Sequence, residues 1–376
     1  MEELFKKITD SINLSNIFKH KEVSAIGIDL GSSFIKLVQL KKKGGKAILE
    51  TYGEIGLGPY GGVELGQMTN LPSDKLAEAL NDIMKEAKVT TKNSAISIPF
   101  SASLVSVIEL PKVSEGELDS IVPIEARKYI PVPMGEITLD WWVIPKQEEY
   151  EGKEIVADPA KGDKIDVLIA AIHNDTVNKY NDIVKRVALE SVFFEIEMFS
   201  TIRSTFGRDM KLVMVLDMGA GNTKLSIVEY GVVRASHVVG RGSQDITLAL
   251  SKSLGISIKD AEKMKRDYGL LGKPDDPNVK EIVRLSTDYI FSEVNRVLLN
   301  YEQKYNKTIG KVVLTGGGVL LKGFKEAAME TLKSEVVYGD PFAKVEAPAF
   351  LEGLLQEAGP EFAVAIGLAL RKLQDA

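Results

Sequence analysis

Apolar residues in this chain come in short β-forming runs that break at glycines, and one such broken run occurs twice. The first copy is Ala25-Ile26-Gly27-Ile28-Asp29-Leu30-Gly31-Ser32-Ser33-Phe34-Ile35-Lys36-Leu37, and the second is Val213-Met214-Val215-Leu216-Asp217-Met218-Gly219-Ala220-Gly221-Asn222-Thr223-Lys224-Leu225. Both read apolar strand, Asp-x-Gly, four residues, Lys-Leu. Each predicts a β-hairpin in which apolar β-formers enter, small residues turn, and an alternating stretch leaves (Phe34 to Leu40; Lys224 to Glu229). The copies stand half a chain apart, which predicts two homologous halves.

A third apolar strand, Val312-Val313-Leu314-Thr315, runs into Gly316-Gly317-Gly318 and then Val319-Leu320. The segment Asp260 to Gly269 predicts a charged helix, and Glu361 to Leu370 a helix rich in small residues. Between Pro99 and His173 the pattern predicts a strand (Ser103 to Leu110), a helix from about Ser114 to Tyr129 and a strand (Ile137 to Ile144). A charged loop (Pro145 to Lys164), a strand (Ile165 to Ile172) and a helix from Asp175 complete it. Ser114 and Glu117 have capping-box spacing for the first of these helices. Near the start, Leu4, Phe5, Ile8, Ile12 and Phe18 fall at helical spacing among Lys6, Lys7 and Lys19. That segment reads either as a terminal helix docked on its own domain or as a membrane or partner helix.

The doubled turn has a chemical use. Small residues let backbone approach a phosphate, their amides and hydroxyls donate to its oxygens, and a strand-end carboxylate can hold Mg2+ through water. A triple glycine after a strand lets a nucleobase or an α-phosphate lie against bare backbone. The spacing matches neither a P-loop nor a dinucleotide fingerprint.

Bulk properties narrow the classes. The 376 residues, 44% hydrophobic and 27% charged, suffice for two packed domains. A net charge of -6 and the lack of a basic tract set nucleic acid aside as a partner. Without cysteine there is no disulfide and no thiolate metal site, and only His20, His173 and His237 remain for imidazole chemistry, so a reducing compartment fits. No apolar run reaches the roughly 20 residues that would cross a bilayer, and the expected localisation is cytoplasmic.

Hairpin, hairpin and triple glycine follow the order of the two phosphate motifs and the adenosine motif in the actin-like ATPase superfamily, which the chain resembles over nearly its whole length. Asp260-Ala261-Glu262-Lys263-Met264-Lys265 looks like the Ala-Glu-x-x-Lys helix of FtsA-like members. The insert resembles the 1C subdomain of FtsA and of the PilM family, and Ile124-Glu125-Ala126-Arg127-Lys128-Tyr129-Ile130-Pro131-Val132-Pro133 is very like the latter. The resemblance implies an α/β fold of the actin-like, ribonuclease H-like, duplicated two-domain type. It implies an arm at 1–20, subdomain 1A at 21–100 and 174–212, 1C at 101–173, 2A at 213–254 and 309–376, and 2B at 255–308. The small-residue segment Glu361 to Leu370 would be a connecting helix, a hinge between halves.

ATP with Mg2+ is the implied cofactor. Its phosphates would meet Gly31, Ser32, Ser33 and Lys36 on one side and Gly219, Ala220, Gly221, Asn222 and Thr223 on the other. Gly316, Gly317 and Gly318 would take the adenosine, Glu262 and Lys265 the ribose and base, and Asp29 and Asp217 the metal. Lys36 would be the main cation for the phosphates, with Lys224 doing less. Asp217 or Glu197 would position water if ATP is hydrolysed, and turnover would be slow or absent. The resemblance further implies an assembly platform of type IV pili or related secretion machines, peripheral to the inner membrane through partners. The named partner is the N-terminal cytoplasmic peptide of PilN, captured in a groove near Tyr129, Ile130 and Trp142. Other inner-membrane platform proteins, the pilus motor ATPase and further copies of the chain are the remaining implied contacts. Two alternatives stay open: an FtsA-like cell-division scaffold, disfavoured by the absence of a membrane helix after the last fold helix, and a sugar or acetate kinase of the same superfamily.

Overall fold

The computed structural model describes residues 23–144, 164–207 and 210–375. The segment 1–20 and most of the charged loop lie outside them. The first half begins with three antiparallel strands, β1 (Val23–Leu30), β2 (Phe34–Lys43) and β3 (Lys46–Gly56), followed by α1 (Ser73–Glu86) and β4 (Asn93–Ile98). The insert then supplies β5 (Ser103–Pro111), α2 (Glu115–Ala126), β6 (Ile137–Ile144), β7 (Lys164–His173) and α3 (Asn174–Val187), before β8 (Glu190–Ile196) and α4 (Glu197–Thr205). The second half holds β9 (Leu212–Met218), β10 (Thr223–Glu229) and β11 (Val232–Val239), then α5 (Ser243–Leu254), α6 (Ile258–Tyr268) and α7 (Pro277–Tyr305). It closes with β12 (Lys311–Thr315), α8 (Phe324–Leu332), β13 (Glu335–Tyr338), α9 (Glu352–Ala358) and α10 (Ala363–Gln374).

The duplication is visible in the sheets. One runs β3-β2-β1-β4-β8 and the other β11-β10-β9-β12-β13. In each, an antiparallel meander is extended by two parallel strands from the side of its first strand. The actin-like fold expected from the sequence is therefore present, and its repeat extends to single residues. Asp29 is the cross-strand partner of Lys36, and Asp217 that of Lys224.

The insert folds as a three-stranded antiparallel sheet, β5-β7-β6. Alternation along the strands splits its faces. Ile108, Val167, Ile169 and Ala171 pack with Leu118, Val122 and Ala126 of α2, whereas Val105, Val107, Leu168 and Ala170 face a core shared with β9 and β11. Ser114 and Glu117 form the expected capping box. The helix ends at Ala126, short of Tyr129, because Pro131 pushes the residue before it out of helical conformation and the chain turns ahead of it. Ile130 lies in the core of this unit. It is not a surface groove residue, while Tyr129 and Trp142 are exposed.

The last helix crosses over. Although its place in the chain put it with 2A, α10 lies on β1, β2 and β4 and against α4. Small residues make this possible: a Cβ on Gly27 would stand 2.0 Å from the Ala365 carbonyl oxygen, and one on Gly367 1.9 Å from that of Ser200. At the same seam Glu195 receives both guanidinium nitrogens of Arg203 at 2.6 Å and Arg371 at 3.0 Å. Among the described residues no helix is long and apolar enough to cross a membrane.

Because backbone stands where a side chain would go, Gly367→Ala should destabilise the protein by about 1–3 kcal/mol through overpacking. On α9, Gly353 has nothing near an added Cβ, so Gly353→Ala should be neutral or stabilising by up to about 1 kcal/mol. Urea unfolding of the two variants checks this, and equal stabilities would refute the tight seam.

Candidate functional site

Both Asp-x-Gly turns open onto one cavity of about 570 Å³ between the halves, within the range of roughly 300–1,000 Å³ usual for small-ligand sites. Asp29, Gly31, Ser32, Ser33 and Lys36 line it from the first hairpin, and Asp217, Gly219, Ala220, Gly221, Asn222 and Lys224 from the second. Gly316, Gly317 and Gly318 form another wall, with Glu262 and Lys265 of α6 and Glu197 of α4. Thr223 is the exception. It is fully buried, and its hydroxyl donates to the Arg241 carbonyl at 2.9 Å, because strand alternation turns it away from the side on which Lys224 points.

Local geometry explains the glycines. Gly316 has φ of +82°, and a Cβ there would stand 2.4 Å from Oδ1 of Asp217; only glycine lets β12 turn this closely beside the aspartate. Gly31 is similarly confined, a Cβ being 2.7 Å from the Phe34 carbonyl oxygen. The turns leave little backbone unaccounted for on the side away from the cavity. The Gly219 amide donates to the Asn222 carbonyl at 2.9 Å, and Gly219 and Ala220 carbonyls cap the start of α5 by accepting from Ser243 and Gln244 at 2.9 Å.

The centre of the site is a buried charge cluster. Lys224 Nζ lies 2.7 Å from Oε2 of Glu197 and 3.3 Å from Oδ2 of Asp217. The other oxygen of Glu197 accepts from the Phe100 amide at 2.6 Å, and Ser97 donates its hydroxyl proton to Asp29 at 2.8 Å. Burial works against the charge on Lys224, yet Asp217 and Glu197 outweigh it and hold the ammonium above its ordinary range. For Glu197, burial is the largest influence and raises its carboxyl despite Lys224. Burial likewise raises Asp29 despite Lys36 and Lys224. Glu197 and Asp217 thus share Lys224, while Asp29 feels both Lys36 and Lys224.

Lys36 stands apart from that cluster. It lies 3.5 Å from Glu361 and 3.9 Å from Glu54, and 5.4 Å from the Phe34 ring centroid. The side chains of Lys36 and Lys224 are equally enclosed, each 13% exposed. On α6, Glu262 pairs with Lys265 at 2.6 Å and with Arg266 at 2.8 Å, and accepts from Thr247 at 2.6 Å. Burial opposes the charge on Glu262, but Lys265 and its hydrogen-bond donors hold its carboxyl below the usual range. Lys265 is pulled below its ordinary range by burial in spite of Glu262.

Sequence reasoning missed three contributors. Met68 sits over the second turn, its sulfur where a Cβ on Gly221 would be, and its amide donates to Gln244. Glu361 faces both Lys36 and Gly317. Ser97 orients Asp29. Each comes from a segment distant in sequence, and only Ser97, a polar residue at the end of an apolar strand, left a local signal.

A phosphate and a cation fit what is present. The hydroxyl oxygens of Ser33 and Thr315 are buried at the cavity wall without partners, which polar groups in such a place rarely tolerate. Among the described residues no three His, Cys, Asp or Glu side chains could hold a metal unaided. Mg2+ commonly takes one or two carboxylates and completes its shell with water and phosphate, and Asp29 and Asp217 could supply that share.

The raised carboxyls carry a pH signature. A group whose folded pKa lies above its unfolded value stabilises the fold at low pH and loses that contribution as pH rises through the folded pKa. Between the ordinary carboxylate value of 3.8 and the raised pKa of Asp29, the ligand-free protein should therefore lose stability with rising pH. Asp29→Asn should flatten that part of the curve, as read from thermal midpoints. An unchanged slope would mean that Asp29 titrates normally.

Comparison with known proteins follows this geometry. The family profile "Type IV pilus assembly protein PilM" matches residues 27–373. Cell division protein FtsA of Bacillus subtilis is 22% identical over 366 residues, covering 88% of this chain and 81% of that protein. Its Neisseria meningitidis counterpart is 25% identical, covering 84% and 82%. Among solved structures, a PilM-PilN type IV pilus biogenesis complex superposes with a TM-score of 0.78 at 26% identity, covering 93% of this chain and 99% of that one. MreB5 of Spiroplasma citri bound to ADP gives 0.50 at 11% identity, covering 94% and 97%, a likeness of fold alone. With a matching profile from the first hairpin to the last helix, the chain belongs to the type IV pilus assembly protein PilM family.

Proposed function

We propose that this chain is an ATP-binding scaffold of the type IV pilus assembly platform that takes up the N-terminal peptide of PilN. The observation that carries the nucleotide part is the pair of Asp-Lys partners, Asp29 with Lys36 and Asp217 with Lys224, in identical register on two hairpins that face one cavity. ATP bound there touches both halves, with Mg2+ between Asp29, Asp217 and the phosphates. Lys224 compensates the carboxylates at its base, and Lys36 exchanges Glu361 for a phosphate. Glu262 and Lys265, joined to each other, border the ribose and base, and the triple glycine borders the adenosine.

A ligand held by both halves favours the angle at which both sets of contacts are made. Glu197 is occupied by Lys224 and the Phe100 amide, so its role is to hold Lys224 rather than to activate water, and turnover is slow. Binding is then the purpose of the site. For the peptide, the similar structure bears PilN in its title, and the 1C unit here exposes Tyr129 and Trp142. Strand β6, at the edge of its sheet, suits an added extended segment.

A fluorescent ATP analogue should bind in the presence of Mg2+, and Asp29→Ala with Lys36→Ala should abolish binding; wild-type affinity in the double variant would sink the hairpin assignment. A peptide with the PilN N-terminal sequence should be pulled down by the full chain, with an affinity that changes on adding ATP. Failure to capture it under either condition would remove the partner while leaving the nucleotide site standing.

A further inference from the structure

The cationic side chains that line the cavity are Lys36, Lys179, Lys224, Lys265 and Arg266. All but one are engaged. Lys36 pairs with Glu361 and Glu54, Lys224 with Glu197 and Asp217, and Lys265 and Arg266 both with Glu262. Lys179, on α3, has no ion-pair partner among the described residues. Neither the repeated hairpins nor the triple glycine points to it, because it comes from a helix that follows the 1C sheet.

Helix α3 turns Tyr180, Ile183 and Val187 into the core of the first half. Lys179, half-buried, stands at the edge of that face, where the cavity opens. The start of the helix is fixed to the 1C unit: the Asn174 side chain donates to the Gly135 carbonyl at 3.0 Å and accepts from the Thr138 hydroxyl at 3.0 Å. The neighbours of Lys179 mark which part of the cavity it borders. Tyr180 is buried in the same wall, and burial, together with the charges of Glu197 and Asp29, holds its phenol above its ordinary range. Pro99 and Ser101 continue that wall on either side of Phe100, whose amide donates to Glu197. Lys179 therefore borders the Asp29 and Glu197 part of the cavity, whereas Glu262, Lys265 and the triple glycine form another wall.

With adenosine beside the triple glycine and α6, and the phosphates between the hairpins, the far end of the phosphate chain points past Asp29 and Glu197 toward α3. A triphosphate differs from a diphosphate there by one phosphate, which brings further negative charge to a place already lined by carboxylates. Such a group needs a cation that is not already committed, since a charge removed from water without a partner is costly. We infer, on the nucleotide reading of the cleft, that Lys179 is the residue that distinguishes a nucleoside triphosphate from a diphosphate, its ammonium donating to the terminal phosphate. A diphosphate keeps Lys36 and both turns and leaves Lys179 unused.

The test is titration of the full chain with ATP and with ADP, each displacing a fluorescent ADP analogue in the presence of Mg2+. A hydrogen bond between charged groups contributes enough that Lys179→Gln should weaken ATP by about tenfold, while ADP affinity stays within about twofold of its starting value. Lys179→Arg keeps the charge and should restore most of the preference for ATP. Lys185→Gln, at an exposed position in the last turn of the same helix, should change neither affinity. Equal losses for the two nucleotides, or an unchanged ratio of ATP to ADP affinity in Lys179→Gln, would overturn the assignment. If the unaltered chain bound neither nucleotide, the nucleotide reading of the cleft would fall first, and the role of Lys179 with it.

Discussion

The constraint on which the site rests is the enclosure of Lys224 by carboxylates from different parts of the chain. Asp29 belongs to the first half, Asp217 to the second and Glu197 to the helix between them. Unit charges about 4 Å apart interact by about 4 kcal/mol at the effective dielectric of a protein site, so Lys224 and Lys36, which both act on Asp29, cannot balance Asp29, Asp217 and Glu197 at no cost. Burial adds to that cost and holds the carboxyls of Glu197 and Asp29 above their ordinary range. A divalent cation would relieve it without protonation. The metal-bound phosphate proposed for the cleft would offset that excess of negative charge.

How the halves respond depends on what cannot move. Helix α4 bears Glu197 at its start and Ser200 one turn on, where Gly367 of α10 packs against the Ser200 carbonyl. Glu195, Arg203 and Arg371 lock the same seam. Close-packed backbone has no slack to absorb a displacement, so α4, α10 and the first sheet move as one body. From the first half, the loop residues Glu64 and Met68 reach across to Lys259 and Gln244 of the second.

What could be read from the sequence was what is local. The hairpins were legible because Asp, Gly and Lys recur at fixed spacing within a few residues, and their cross-strand register follows from the turn length. The 1C unit was legible from alternation and from the capping pair Ser114 and Glu117. Illegible were choices made by distant groups. Lys36 and Lys224 occupy equivalent positions, and their environments differ only because Glu361 meets one and Glu197 the other. Thr223 looked like a ligand by composition and is removed by strand alternation. The crossing of α10 depends on Gly27 meeting Ala365 and on Gly367 meeting Ser200, contacts between segments far apart in the chain that no local window can see.

Besides the core that 1C shares with β9 and β11, one ion-paired path joins it to the cleft along β10. At one end of β10, Lys224 enters the charge cluster; at the other, Glu229 meets Arg234 at 3.1 Å, and Arg234 lies 3.9 Å from Asp166 of β7. Strand β10 is held on both sides by β9 and β11. Strand β7 is also the central strand of the 1C sheet, with β6 at the edge beside it. The residues that sense charge in the cleft and those that present the outer surface of 1C are thus separated by two rigid strands and one ion-paired junction.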